Sequence, residues 1–209
     1  MTKVFSIGRD MTHQEAMDTI KKLKVISAKL EKIDSKQDFF LYPEFCDEEP
    51  TLSEENKKDK LTIYDIPISY NMRRADKTLR EAHKEEFDKG DAIIDTIMES
   101  EDMEILRDKY RPEAQTLVEK TYIPIFKKVK ELLVKLHSEN ILHRDMSPDN
   151  VMVMKDKSYR IIDFDASTVS DIPIKSSETS KEMRDLVRTT LVGWSRVYPD
   201  LYERMVDAT

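Results

Sequence analysis

Between His143 and Asp165 the 209-residue chain carries its densest run of side chains able to do chemistry. His143-Arg144-Asp145-Met146-Ser147-Pro148-Asp149-Asn150 comes first, and Asp163-Phe164-Asp165 closes the stretch. Between them lie two apolar runs, Val151-Met152-Val153-Met154 and Tyr159-Arg160-Ile161-Ile162, joined by the polar Lys155-Asp156-Lys157-Ser158. Two short strands and a turn predict a hairpin, although the turn lacks the glycine that a tight loop prefers. A hairpin returns the chain to its start, so Asn150 and Asp163 meet at its open end. Carboxylate and carboxamide oxygens are the donors a hard cation takes. Taken singly, an Asp or Asn beside a turn is more often a cap or an Asx-turn residue, and Asp163 alone could simply end a strand. The company these residues keep is what points to chemistry. His143, after the apolar pair Ile141-Leu142, reads as a core or loop histidine rather than a base.

The first segment resembles the catalytic loop of protein kinases, H-R-D-x-x-x-x-N, and the second resembles their metal-binding D-F-G turn with Asp165 in place of glycine. The resemblance implies phosphoryl transfer from ATP, a reaction in which a protein chiefly positions groups and neutralises charge. On that basis Asp145 accepts or orients the proton of the attacking hydroxyl, Asn150 and Asp163 hold Mg²⁺ against the phosphates, and His143 and Arg144 brace the loop. Ser147 stands at the cofactor-contacting position where most serine/threonine kinases carry a lysine, so one positive charge is missing there. Asp165 either adds a carboxylate ligand or stiffens the turn by removing a backbone hinge. The S-P-D-N form is similar to divergent small-molecule kinases and to kinase-like proteins of large DNA viruses. No A-P-E motif follows, and residues 166–182, polar and rich in Ser and Thr, read as a solvated loop.

Several elements must hold this loop in place. Tyr122, Ile125, Phe126, Val129, Leu132, Leu133 and Leu136 form one apolar stripe at helical spacing, with Pro124 starting or kinking the helix. Toward the N-terminus, Lys3 to Ile7 alternates as a strand, and a helix is predicted from Thr12 to Ile33, with Thr12 and Glu15 at capping-box spacing. Phe39 to Pro43 predicts a short aromatic strand, Asp47 to Lys60 a solvated loop, and Leu61 to Tyr70 a strand or strand pair with Pro67 at an edge or bend. In the order of a kinase small lobe, Lys3 is the lysine that grips the phosphates and Glu15 its ion-pair partner, while the glycine-rich hairpin is missing. Ser180 to Pro199 predicts one helix, in which Asp185 either is a plain helix-start residue or resembles the aspartate that anchors the catalytic loop from below in kinases. The expected fold is α+β and protein-kinase-like: residues 1–72 a reduced small lobe, residues 73–209 a mainly helical large lobe cut short after the D-F-D segment.

Composition removes several classes. The three glycines, Gly8, Gly90 and Gly193, lie too far apart for a Rossmann or Walker phosphate loop. A single cysteine, Cys46, excludes internal disulfides and thiolate zinc clusters and suits a reducing compartment. With 35 Lys and Arg against 42 Asp and Glu, the net charge of -7 argues against nucleic-acid binding. No segment approaches the roughly 20 apolar residues of a membrane span. The expected setting is the cytoplasm, of a host cell if the chain is viral, with no membrane partner. The expected activity is ATP- and Mg²⁺-dependent phosphotransfer to a protein, as in serine/threonine kinases, or to a small molecule. The alternative is a pseudokinase, a binding or regulatory module, which the lack of lid glycines favours. A third class is a helical scaffold docking partners through the charged faces of residues 73–120, although such patterns are usually only solvated.

Overall fold

The computed structural model describes residues 2–7, 13–42, 44–45, 51–52, 64–69 and 77–207. β1 (Thr2–Ile7) leads into α1 (His13–Ile33), whose Ile20, Leu23, Ile26 and Leu30 recur at helical spacing and are buried. The expected cap Thr12 lies outside the described residues. β2 (Glu44–Phe45) and β3 (Thr51–Leu52) pair antiparallel with opposite ends of β4 (Tyr64–Ser69), which pairs along its whole length with β1. Pro67 falls in the gap between β2 and β3, where, among the described residues, β4 is paired only with β1. β3 interrupts what the sequence presents as a solvated loop from Asp47 to Lys60, because two of its residues find a ladder on β4.

The strand expected over Phe39 to Pro43 shrinks to a single parallel bridge between Phe40 and Ile161. Its cause is local. Asp34, 5% exposed just past the end of α1, takes the backbone N–H groups of Asp38, Phe39 and Phe40, each at 2.8 Å. Amides held by a carboxylate cannot also enter a ladder. Pro43 lies outside the described residues.

β5 (Lys77–Thr78) leads into α2 (Leu79–Ala82), where Thr78 and Glu81 form a reciprocal capping box. α3 (Lys84–Met98) and α4 (Met103–Leu117) follow, then one π-helical turn at Val118–Tyr122 and α5 (Ile123–Ser138). Pro124, at the start of α5, has no N–H for the helical ladder, and the wider turn just before it accommodates the ring. The stripe from Ile125 to Leu136 is buried as expected.

β6 (Ile141–Leu142) precedes the hairpin of β7 (Val151–Val153) and β8 (Tyr159–Ile161), whose register sets Val151 opposite Ile161. Lys157, at φ 63°, supplies the left-handed residue for which the turn has no glycine. Asp156 steadies it by accepting the Ser158 N–H at 2.9 Å. β5 adds to the open edge of β7, and β9 (Thr168–Val169) pairs with β6.

Two expectations near the C-terminus change. Residues 166–182 are only partly loop, since they hold β9 and the start of α6 (Ser176–Thr190). The single helix from Ser180 to Pro199 is instead broken into α6, α7 (Trp194–Val197) and α8 (Pro199–Asp207). Gly193 makes the break at φ 83°, and a Cβ there would stand 2.6 Å from Ile94. One apolar core joins all of this, from Ile26 and Leu30 of α1 to Tyr202 and Met205 of α8. Among the described residues, no helix is long and apolar enough to cross a membrane.

Candidate active site

The hairpin closes as its sequence implies. Ile162 donates its N–H to the Asn150 carbonyl at 3.0 Å, one residue before Asp163. Asn150 is buried, and its Nδ2 donates to the Asp145 carbonyl at 2.8 Å and to Asp145 Oδ2 at 3.1 Å. The loop is thus closed by its own last residue, which leaves the Asn150 carboxamide oxygen as the ligand atom on offer. Asp145 and Asp163 are both exposed. Arg144 and Asp163 stand at φ 70° and 61°, left-handed conformations that cost a non-glycine residue of order 1 kcal/mol and gather at functional sites.

His143 is fully buried and braces this arrangement, as expected. Its Nδ1 accepts the Asp145 N–H at 3.3 Å, so the ring proton lies on Nε2, which donates to the Ile162 carbonyl at 2.9 Å. Burial pushes its pKa below the usual histidine value, against a smaller opposing effect of the Ile162 carbonyl. Phe164 packs edge-on against His143 at 5.2 Å between ring centroids, and Phe40 packs against Phe164 at 6.2 Å. The bridge at Phe40 therefore bears directly on the D-F-D turn.

The anchor beneath the loop is Glu182, not Asp185. Glu182 Oε1 accepts the Arg144 N–H at 2.7 Å, while Oε2 meets His137 Nε2 at 2.8 Å. His137 Nδ1 in turn lies 2.7 Å from Thr179 Oγ1, and all three side chains are buried. Asp185 instead pairs with Arg188 at 3.3 Å. A signal for Glu182 was present: it stands beside Met183 and four residues before Leu186 on the apolar stripe of α6, where an unpaired carboxylate would be costly.

The remaining expected contacts are less drawn together. Ser147 is half-buried at the start of the 3₁₀ turn Pro148–Asn150. Glu15 is exposed in the first turn of α1, and the side chain of Lys3 lies outside the described residues, although its backbone pairs opposite Ile68 in β1. Asp165 is half-buried, and its carboxyl is pushed up to about 6 by burial and then by the charge of Asp163, with Lys22 opposing. Its φ is not positive, so in this conformation the missing glycine leaves no backbone strain at 165. Among the described residues, no three His, Cys, Asp or Glu side chains converge as a metal cage. A depression of about 370 Å³, lined by Thr78, Arg80, Glu81, Lys84, Asp88 and Asp149, opens beside the loop.

The family model of the protein kinase domain matches residues 82–190, which include the loop, the hairpin and the D-F-D turn. An Aurora kinase of Yarrowia lipolytica (strain CLIB 122 / E 150) is 27% identical over 119 residues, 57% of this chain and 30% of that one. Sperm motility kinase 1 of Mus musculus is 44% identical over 45 residues, 22% of this chain and 9% of that one. The chain thus matches less than a third of the length of either relative. Among solved structures, the ROP18 kinase domain in complex with AMP-PNP and sucrose superposes with a TM-score of 0.56 at 13% identity, covering 100% of this chain and 66% of that one. That likeness shows a protein-kinase-like fold, and nothing in these matches supports the narrower likeness to viral proteins. With the family model matched over just over half of its length, the chain belongs to the protein kinase domain family.

Proposed function

We propose that the chain is an ATP- and Mg²⁺-dependent phosphotransferase of protein-kinase type. The observation that carries this reading is the closure of the loop on itself: Asn150 holds Asp145 by its amide nitrogen, and its backbone bonds to the residue before Asp163. Asp145 Oδ2 is tied to Asn150, so Oδ1 is left to accept the proton of an incoming hydroxyl. The donor set fits magnesium, because the Asn150 carboxamide oxygen and the exposed Asp163 carboxylate are hard oxygen ligands, and a site of two protein ligands is ordinarily completed by phosphate and water. Bound there, the ion would neutralise charge on the transferring phosphoryl group. Ser147 offers a hydroxyl at the phosphate, and Lys3 and Glu15 complete the grip in this reading, with residues 1–72 as the small lobe and 73–209 as the large. The acceptor is a protein hydroxyl, as in serine/threonine kinases, or a small molecule, and the setting is the cytoplasm.

One observation favours a second reading, a pseudokinase that binds or regulates without transfer: no two of the three glycines are near enough to form a nucleotide lid. Calorimetry followed by a transfer assay separates the two. Mg-ATP at ten times its dissociation constant should stabilise by about 1.4 kcal/mol, raising the melting midpoint by roughly 3 to 6 °C. Asp163→Ala should abolish the shift. A shift without transfer of the γ-phosphate to any tested acceptor would favour the pseudokinase, and no shift at millimolar Mg-ATP would remove the nucleotide site.

A further inference from the structure

α1 grips the catalytic region at two backbone oxygens. Lys22 Nζ donates to the Asp165 carbonyl at 2.8 Å across 143 residues of sequence, and Lys29 Nζ donates to the Glu139 carbonyl at 3.1 Å across 110. Seven residues separate the two lysines, two turns of helix, so they stand on one face about 10 Å apart. Glu139 caps the end of α5, two residues before β6 and four before His143, while Asp165 lies two residues after Asp163. The helix therefore spans the segment that leads into the catalytic loop and the turn that leaves the hairpin. Leu23, Ile26 and Leu30 are buried in the same helix, which fixes the axis from which both ammonium groups reach.

The choice of acceptor gives Lys22 its meaning. An ammonium on a backbone carbonyl constrains the peptide plane itself, and the plane after Asp165 is part of the same tight turn as Asp163 and Phe164. That turn is closed on its other side by the Ser167 N–H, which donates to the Phe164 carbonyl at 3.0 Å. Phe164 is held by His143 and Phe40, but Asp163, exposed and left-handed, makes no side-chain hydrogen bond among the described residues to set its direction. His143 holds the Ile162 carbonyl just before Asp163, and Lys22, reaching from α1, holds the Asp165 carbonyl two residues after it.

We propose that Lys22 is a positioning residue for the site, holding the D-F-D turn so that Asp163 faces Asn150. It acts through the Asp165 carbonyl and touches neither nucleotide nor acceptor. This inference rests on the phosphotransfer reading for its consequence, though not for its structural content, and the test keeps the two apart.

Three variants are compared: Lys22→Met, which keeps the apolar stem and loses the donor, Lys22→Arg, which restores a donor, and Lys29→Met, which releases the other carbonyl. The first measurement is amide hydrogen exchange of the protein without ligand. Lys22→Met should speed exchange across residues 164–168 by about ten-fold or more, the factor expected for one lost charged hydrogen bond, with Lys22→Arg returning it toward wild type. Lys29→Met should leave these amides unchanged. The second measurement is phosphotransfer against Mg²⁺ at saturating ATP: Lys22→Met should raise the Mg²⁺ needed for half-maximal rate several-fold, whereas a merely structural lysine would lower the melting midpoint and leave the Mg²⁺ midpoint in place. Unchanged exchange over 164–168 in a folded Lys22→Met protein overturns the proposal, as does an equal change in Lys29→Met. If the wild type transfers no phosphate, the activity reading fails, while the exchange result still decides whether Lys22 holds the turn.

Discussion

The backbone N–H of Arg144 lies 2.7 Å from Glu182 Oε1, joining the loop His143–Asn150 to α6 across 38 residues of sequence. The same carboxylate meets His137 from the end of α5, so one side chain satisfies the loop and the two helices that flank it. Arg144 needs such a restraint because its φ of 70° is unfavourable for a residue with a side chain.

Removing that carboxylate should orphan both partners at once. Glu182→Ala leaves the Arg144 amide and the buried Nε2 of His137 without their partner, at about 1–3 kcal/mol for each group. The melting midpoint should fall by roughly 4 °C or more. Glu182→Gln retains one oxygen for Arg144 and should lose less. Asp185→Ala, at the position the sequence suggested, should stay within about 0.5 kcal/mol of wild type. Thermal melts of the three proteins rank them, and an Asp185→Ala loss as large as that of Glu182→Ala would contradict the assignment.

What the sequence made legible, and what it hid, follows from the distance over which each contact acts. The hairpin and the closure of Asn150 on Asp145 are local, so residue types five to thirteen positions apart were enough to foresee them. Glu182 was harder because its partners are remote, 38 and 45 residues away in sequence. Asp34 was hidden for a related cause: nothing in a single Asp after a helix announces that it will bind three successive amides and thereby turn an aromatic strand into one bridge. The break at Gly193 was in principle readable, since an isolated glycine is the usual residue for φ of this sign, but the apolar periodicity running through Leu191 and Trp194 masked it.

The role of Asp34 can be measured at the site it supports from a distance. Asp34→Ala should release the amides of Asp38, Phe39 and Phe40 and lower stability by about 2 kcal/mol or more, because Phe40 is fully buried and its N–H has no route to water. Asp34→Asn keeps one acceptor, its carboxamide oxygen, and should fall between. Near-ultraviolet circular dichroism would report loosened packing of Phe40 on Phe164, and an unperturbed aromatic spectrum in Asp34→Ala would break the link drawn here.

Base and brace should separate kinetically. Asp145→Asn preserves an oxygen for Asn150 Nδ2 but cannot accept a proton, so phosphotransfer should fall by about 10² to 10⁴-fold, with nucleotide affinity within a few-fold of wild type. His143→Ala opens a cavity against Phe164 and should chiefly lower the melting midpoint. Full activity in Asp145→Asn would remove this residue from the chemistry.

Asp165 makes stability depend on pH in a defined direction. Its folded pKa of about 6 lies above the ordinary 3.8, raised first by burial and then by the charge of Asp163. A carboxyl that binds its proton more tightly in the folded state stabilises the fold when protonated, so its contribution is complete below about pH 4 and is lost as pH rises through about 6. Asp165→Asn carries no such dependence. The melting midpoint of the variant minus that of wild type should therefore grow from pH 4 to pH 7 and level off above, measured with EDTA so that no cation competes. The gain should be well short of the full linkage value, since the half-buried group is partly screened by solvent. A difference that stays flat across this window, or that shrinks as pH rises, would mean that Asp165 ionises as freely in the folded chain as in the unfolded one.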